Sequence, residues 1–320
     1  MNQPRVSVLM AVFNVAPFAA EAIQSVLHQS FTDFELIVAD DGSTDGTPDI
    51  AAAFSDPRIR LLRLPHGGAP AALNAGLAVA RGEFLGILDG DDRWHPSKLQ
   101  KHVDFLDRNP SIDLAFSWSR IIDEDGNDTG HHAKRWTGPI SLSELLIDNV
   151  IANGSAVVLR TAAIRSAGPF DHTLGGCYDL DVWLRIARLR PDNLHAIPED
   201  LTDYRRRSGQ LTKQTRMMEQ GWLTLIDKIV RLEPSLAATA APASRVNLYR
   251  FLSYVNHENG DFPEARRCCR LSFSSQPARF LSDYRNWGLL AILASGFLLP
   301  TRIHRALISA AIRLLSAASR

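Results

Sequence analysis

The sequence predicts an α/β protein: a Rossmann-like, doubly wound, mostly parallel sheet with helices on both faces, then a C-terminal helical region. Three observations carry this expectation. Four apolar, β-branched-rich runs alternate with three helical patterns in the first ninety residues, the rhythm of strand–helix–strand crossovers. Three of those runs end in polar clusters, and ligands of such sheets sit outside the carboxyl ends of the strands. Beyond about Thr215 the pattern is helical throughout.

Taken in order, "VSVLMAV" (Val6 to Val12) is apolar enough for a strand covered on both faces. Pro17 suits the first turn of a helix running to about His28, and "FELIVA" (Phe34 to Ala39) is a second buried strand. The turn "DDGSTDGT" follows, with Thr47 expected as an N-cap and Pro48 as the first residue of a helix through Phe54. "RIRLLRL" (Arg58 to Leu64) reads as a third strand, Gly67 to Ala80 as a glycine-led loop and helix, and Phe84 to Leu88 as the fourth strand. Asn14, Asp40 with Asp41, and Asp89 with Asp91 then share one rim. Further on, Leu114 to Asn127 reads as strand then turn, and Ser141 with Glu144 as a capping box. Ser155 to Arg160 reads as a strand, and Tyr178 to Leu189 as a helix with carboxylates in its first turn.

The expected division is a first domain of residues 1–215 and a helical region of 216–320. Within the latter, Gly260 to Pro277 resembles one helix-turn-helix of a tetratricopeptide unit, but one unit makes no array and a small helical appendage is the plainer reading. "NWGLLAILASGFLLP" (Asn286 to Pro300) is too short for an ordinary membrane span. The segment after it sets Arg302, Arg305, Arg313 and Arg320 among apolar residues. It suits either a helix on an anionic membrane surface or one buried against the domain with its arginines in water.

Thirty-five basic and thirty-five acidic residues cancel, so no global field argues for nucleic acid. Cys177, Cys268 and Cys269 lack zinc-site spacing, which fits a reducing cytoplasm. No secretory signal is expected from "MNQPRVSVLMAVFN", and the sequon at Asn153 then reads as chance.

The chemistry concentrates in "FLGILDGDDRWHP" (Phe84 to Pro96). Carboxylates about 4 Å apart repel by about 4 kcal/mol per pair at an effective dielectric near 20, unless a cation sits among them. A divalent ion held by one or two aspartates, with phosphate oxygens completing its shell, resolves the repulsion. Gly90 keeps side-chain bulk away from such a ligand. The alternative is an ordinary aspartate-rich turn.

"VSVLMAVFN", "FTDFELIVADDGSTDGT" and "ARGEFLGILDGDDRWHPSKL", in this order and spacing, resemble the family 2 glycosyltransferases, which have the GT-A fold; the likeness runs from about Val6 to about Ser208. The resemblance implies that Asp41 contacts the nucleotide base and that backbone near Ala11 and Val12 lines its pocket. It places Asp89 near the ribose and Asp91 on a Mn2+ or Mg2+ ion that bridges the diphosphate, with Asp92 as a supporting metal partner. "YDLDVWLRIA" matches the family's base helix, so Asp179 is the implied general base, although Tyr178 stands where a glutamate is usual. Asp181 is the fallback. "YRRRSGQ" matches a phosphate-side loop, where Arg205 and Arg206 are expected either to neutralise the leaving diphosphate or to form a solvated basic loop.

The resemblance thus implies an inverting, metal-dependent transferase taking a nucleotide-diphosphate sugar, most often uridine-linked. A glycan or lipid-linked acceptor in cell-surface polysaccharide synthesis is expected, at the cytoplasmic side of the membrane, with peripheral contact through the tail. Two rivals remain: a nucleotide-sugar-binding protein without turnover, and a nucleotidyltransferase releasing pyrophosphate. No "GxGxxG" follows the first strand and no "GxxxxGK[ST]" occurs, which argues against a dinucleotide-binding domain and a P-loop ATPase.

Overall fold

A computed structural model describes residues 3–298. Strands β1 (Val6–Val12), β2 (Phe34–Asp40), β3 (Ile59–Arg63) and β4 (Phe84–Asp89) are joined by helices α1 (Ala16–Leu27), α2 (Thr47–Ala52) and α3 (Ala69–Val79). The short β5 (Arg93–Trp94) and α4 (Lys98–Arg108) precede β6 (Leu114–Ile122), β7 (Asp128–His132) and β8 (Gly138–Pro139). Then come α5 (Leu142–Ile147), β9 (Val157–Arg160), α6 (Thr161–Ala167), α7 (Tyr178–Ala187) and β10 (Leu194–Arg205). All ten strands form one sheet, whose main path runs β3-β2-β1-β4-β9-β6-β10-β5.

The first four strands are parallel, in the order that right-handed crossovers allow. Every residue of β2 is buried, as are all of β1 except the half-buried Ala11, which is why both read as continuous apolar runs. Strand β9 enters antiparallel between β4 and β6, so the sheet is mixed. Gly86 leaves room for the Trp94 ring: a Cβ there would lie 2.7 Å from Trp94 Cη2.

The chain divides into two compact units, Met1–Leu145 with Asn149–Ser208, and Leu146–Asp148 with Gly209–Arg320. The second contains α8 (Thr215–Leu232), α9 (Ala240–Glu258), α10 (Phe262–Ser275), α11 (Pro277–Ser282) and α12 (Tyr284–Leu298). Gly260, at φ +80°, makes the α9–α10 turn, and the Asp261 carboxylate caps α10 by accepting from Glu264 N at 3.1 Å. Val246, Cys269, Phe280 and Leu289 form a core within this unit. Among the described residues no helix is long and apolar enough to cross a membrane. The basic segment from Thr301 to Arg320 lies outside the described residues.

Three local expectations change. Thr47 is the first residue of α2 rather than its cap, because Asp45 Oδ1 accepts from both Thr47 N (2.9 Å) and Thr47 Oγ1 (2.6 Å). That helix ends at Ala52, short of Phe54. Ser155 and Ala156 lie in a 3-10 turn, and the strand starts only at Val157. The Ser141–Glu144 capping box forms as read, with Glu144 Oε2 accepting from Ser141 N at 2.9 Å and Glu144 N donating to Ser141 Oγ at 3.2 Å.

Candidate active site

Strand register builds the rim. Val12 pairs with Asp40, and Ala11 lies between Ala39 on one side and Asp89 on the other, so the acidic ends of β2 and β4 flank the end of β1. Asn14 adopts the left-handed region (φ 50°), which asparagine tolerates better than most residues. It pins the turn after β2: its N–H donates to Ser43 Oγ at 3.0 Å, and its Oδ1 accepts from Thr44 N at 2.9 Å.

Asp41 is buried. Its carboxylate accepts from Gly67 N (2.8 Å) and Gly68 N (2.9 Å), and lies 2.9 Å from His66 Nδ1. The His66 ring stacks on Phe13, centroids 4.3 Å apart, and Phe13 is exposed. A flat aromatic platform therefore stands beside a fixed carboxylate. The sequence reading named Asp41 but neither ring.

The turn after β4 is braced from distant parts of the chain. Ser155 Oγ accepts from Asp89 N at 3.0 Å and donates to Asp92 Oδ2 at 2.6 Å; Arg205 N donates to Asp92 Oδ1 at 2.8 Å. Asp92 is only 1% exposed and both its oxygens are engaged, so it fastens the turn rather than facing a ligand. Ser155 O also accepts from Trp94 Nε1 at 2.8 Å. Behind this, the fully buried Lys98 donates to Ser117 Oγ, Ala156 O and Thr202 Oγ1 at 2.9–3.1 Å. Burial without a carboxylate partner pushes its pKa well down.

The arginines separate where β10 ends, at Arg205. Arg205 is buried, its guanidinium bonded to Asp91 O, Glu124 O and Glu21, which makes it a brace. Arg206 is exposed, with its N–H on Ile122 O. Arg207, which the sequence reading passed over, donates from Nε to Asp91 Oδ2 at 2.6 Å. Arg205 and Arg207 both lie over the Phe18 ring, 5.0 and 5.6 Å from its centroid, and their spacing of two residues was the signal available.

Asp179 sits in the first turn of α7, its Oδ1 accepting from Leu180 N at 2.6 Å. Burial pushes its pKa up to about 6, against the backbone N–H groups that favour the anion. Asp89 is pushed up to about 7 by withdrawal from water first, then by the charges of Asp91 and Asp179, with Arg207 opposing. The carboxylates at the end of β4 and the start of α7 therefore feel one another. Asp92 is raised well above the usual range by burial and by Asp91 and Asp89. Tyr178 is held far up by burial and these same carboxylates, and packs edge-on against Phe170 at 6.2 Å. Asp181 is buried and paired with Arg185 at 2.7 Å one turn along, a helix brace.

A divalent ion fits the Asp89–Asp91 end of this cluster. Among the described residues no group donates a hydrogen bond to the Asp89 carboxylate, and Asp91 Oδ1 is likewise without one. Both are hard oxygen donors of the kind Mg2+ and Mn2+ prefer. Among the described residues no cluster of three or more His, Cys, Asp or Glu side chains forms a metal cage. One or two carboxylates with substrate phosphates is the alternative such ions use.

The mixed sheet of this order, with an acidic turn after β4 within electrostatic reach of a carboxylate on α7, is that of a GT-A-type domain. The chain belongs to Glycosyl transferase family 2, whose sequence profile matches residues 7–170, just over half of it. The match ends before Asp179. An uncharacterized glycosyltransferase of Rickettsia felis is 29% identical over 194 residues, covering 59% of this chain and 32% of that protein. This chain thus spans about a third of that relative's length. Among solved structures, S. aureus TarS 1–349 in complex with UDP-GlcNAc aligns with a TM-score of 0.55 at 15% identity, covering 91% of this chain and 92% of that one. The mannosyltransferase PcManGT of Pyrobaculum calidifontis, in complex with GDP-Man and Mn2+, aligns with a TM-score of 0.55 at 20% identity, covering 100% of this chain and 87% of that one.

Proposed function

We propose that this glycosyltransferase moves a sugar, with inversion, from a nucleotide-diphosphate donor to a glycan or lipid-linked acceptor, using Mn2+ or Mg2+. The observation that carries the reading is the pairing of an undonated carboxylate, Asp89, with Asp91 at the end of β4, within electrostatic reach of Asp179. The complexes of TarS with UDP-GlcNAc and of PcManGT with GDP-Man and Mn2+ support the donor class and the metal. A uridine-linked donor is the preferred form.

In this reading the base stacks on the Phe13–His66 platform beside Asp41, against the backbone of Ala11 and Val12, and Asp89 meets the ribose. Asp91 would hold the metal, which would supply positive charge on the diphosphate side. Arg207 adds a guanidinium on the phosphate side, the role the sequence reading gave to Arg205 and Arg206. Asp179 takes the proton of the acceptor hydroxyl as its oxygen bonds to the anomeric carbon. The bond from that carbon to the diphosphate oxygen breaks on the opposite face, so the configuration inverts. The chemistry belongs to the cytoplasmic side, where nucleotide sugars are made, with the product serving cell-surface polysaccharide.

Tyr178 at the usual glutamate position favours a second reading, a nucleotide-sugar-binding protein without turnover. One experiment separates the two: nucleotide-diphosphate release from a panel of activated sugars, with and without Mn2+ or Mg2+ and with glycan and lipid-linked acceptors. Metal-dependent release lost in Asp91→Ala supports transfer. Donor binding with no release under any acceptor supports the binding protein.

A further inference from the structure

We propose that the outer face of α11 and α12 is a docking surface for an anionic phospholipid membrane. Tyr284, Trp287 and Leu290 recur at three-residue spacing along α12, with Leu281 ahead of them in α11, and all are exposed: Tyr284 by 58%, Trp287 by 56% and Leu281 by 47%. The opposite face already has its core, since Phe280, Asn286 and Leu289 are buried. The exposed stripe is therefore additional apolar surface, left over after these helices have packed within their own unit. A helix apolar on both faces needs a second apolar medium.

The chemistry of the stripe selects lipid. Trp and Tyr carry an apolar body and a polar edge, which suits the headgroup boundary of a bilayer. Trp287 is held ready, its Nε1 donating to Leu281 O at 3.0 Å, so little side-chain freedom remains to be lost on insertion. Charge complements it. From Pro277 onward the sequence has six arginines against one acidic residue, Asp283, in a molecule that is neutral as a whole; Arg279 and Arg285 are on α11 and α12, and the other four lie outside the described residues. Asp283 is itself neutralised by Arg250 and Arg285. Leu293, one turn past Leu290, borders an open cleft of about 390 Å³ also lined by Pro263, Arg266, Cys269 and Arg270. Two arginines one helical turn apart beside apolar walls suit the phosphate of an acidic headgroup. This inference is independent of the sugar-transfer reading, because it is measured without donor.

The test is co-sedimentation of the full chain with vesicles of phosphatidylcholine alone or mixed with phosphatidylglycerol, at low and high salt. Binding to the phosphatidylglycerol vesicles, weakened by salt, is expected. The double variant Tyr284→Ser/Trp287→Ser is expected to weaken partitioning at least about tenfold, with thermal stability unchanged. Trp287→Tyr, which keeps an interfacial aromatic, retains binding. Absence of vesicle binding, or binding that the double variant leaves intact, overturns the proposal. So does lipid-free self-association of the wild type that the double variant abolishes, since the stripe would then join two copies of this chain.

Discussion

Replacing Asp89 with asparagine isolates the electrostatic cost of the acidic rim. In the folded chain Asp89 titrates at about 7, against an ordinary aspartate value near 3.9 in the unfolded chain. A carboxylate whose folded value is raised holds its proton longer in the folded state than in the unfolded. Below about pH 4 both states are protonated and the group contributes no difference. As pH rises the unfolded chain ionises first, so stability is lost progressively up to about pH 7 and then levels off. The shift corresponds to roughly 4 kcal/mol, an upper figure for a side chain that keeps some contact with solvent. For a protein of this size that is a fall in Tm of roughly 5–10 °C. The assay is thermal unfolding followed by circular dichroism from about pH 5 to about pH 8, with a chelator present. Wild type should lose Tm across this window while Asp89→Asn stays flatter. Mn2+ with nucleoside diphosphate should recover the wild type selectively at the alkaline end, where the carboxylates are charged. Parallel curves for the two proteins in chelator would refute the reasoning.

Three further outcomes follow from the same geometry. Asp179→Asn should lower turnover by about 10²–10⁴ while leaving donor affinity within a few-fold, and wild-type turnover should rise with pH through about 6 as Asp179 ionises; steady-state kinetics and donor titration check both. Ser155→Ala removes the donor to a buried Asp92 oxygen and should cost about 1–3 kcal/mol in urea unfolding, with weakened metal affinity as the turn loosens. Gly86→Ala drives a methyl to 2.7 Å from Trp94 Cη2 and should destabilise by about 1–3 kcal/mol, visible in the same unfolding curves and in the near-ultraviolet signal of tryptophan.

The strands of the first half were legible because parallel strands buried on both faces read as unbroken apolar runs, and β1, β2 and β4 end within a residue of where the sequence placed them. The meeting of Asp41, Asp89 and Asp91 on one edge was legible for the same reason, since parallel strands in register end together. Residues whose contribution depends on long-range pairing were not. Ser155 looked like part of a chance sequon, and only the insertion of β9 between β4 and β6 brings it to Asp92, 63 positions away in sequence. Among three consecutive arginines, composition cannot say which faces Asp91; the end of β10 decides it. The turn at Thr47 misled because its hydroxyl is engaged away from the helix, donating to Asp45 Oδ1 and accepting from Val15 N.

The bracing of the β4 turn has a consequence for biosynthesis. Asp89 and Asp91 leave the ribosome early, yet the groups that hold their turn belong to Ser155 and Arg205. The aromatic platform of Phe13 and His66 beside Asp41 needs only the first strands and their loops. On the proposed reading, a nascent chain can therefore assemble the half assigned to the base long before it can hold the half assigned to the phosphates. Until β9 and β10 have been added, the acidic turn lacks the Ser155 and Arg205 hydrogen bonds that hold it.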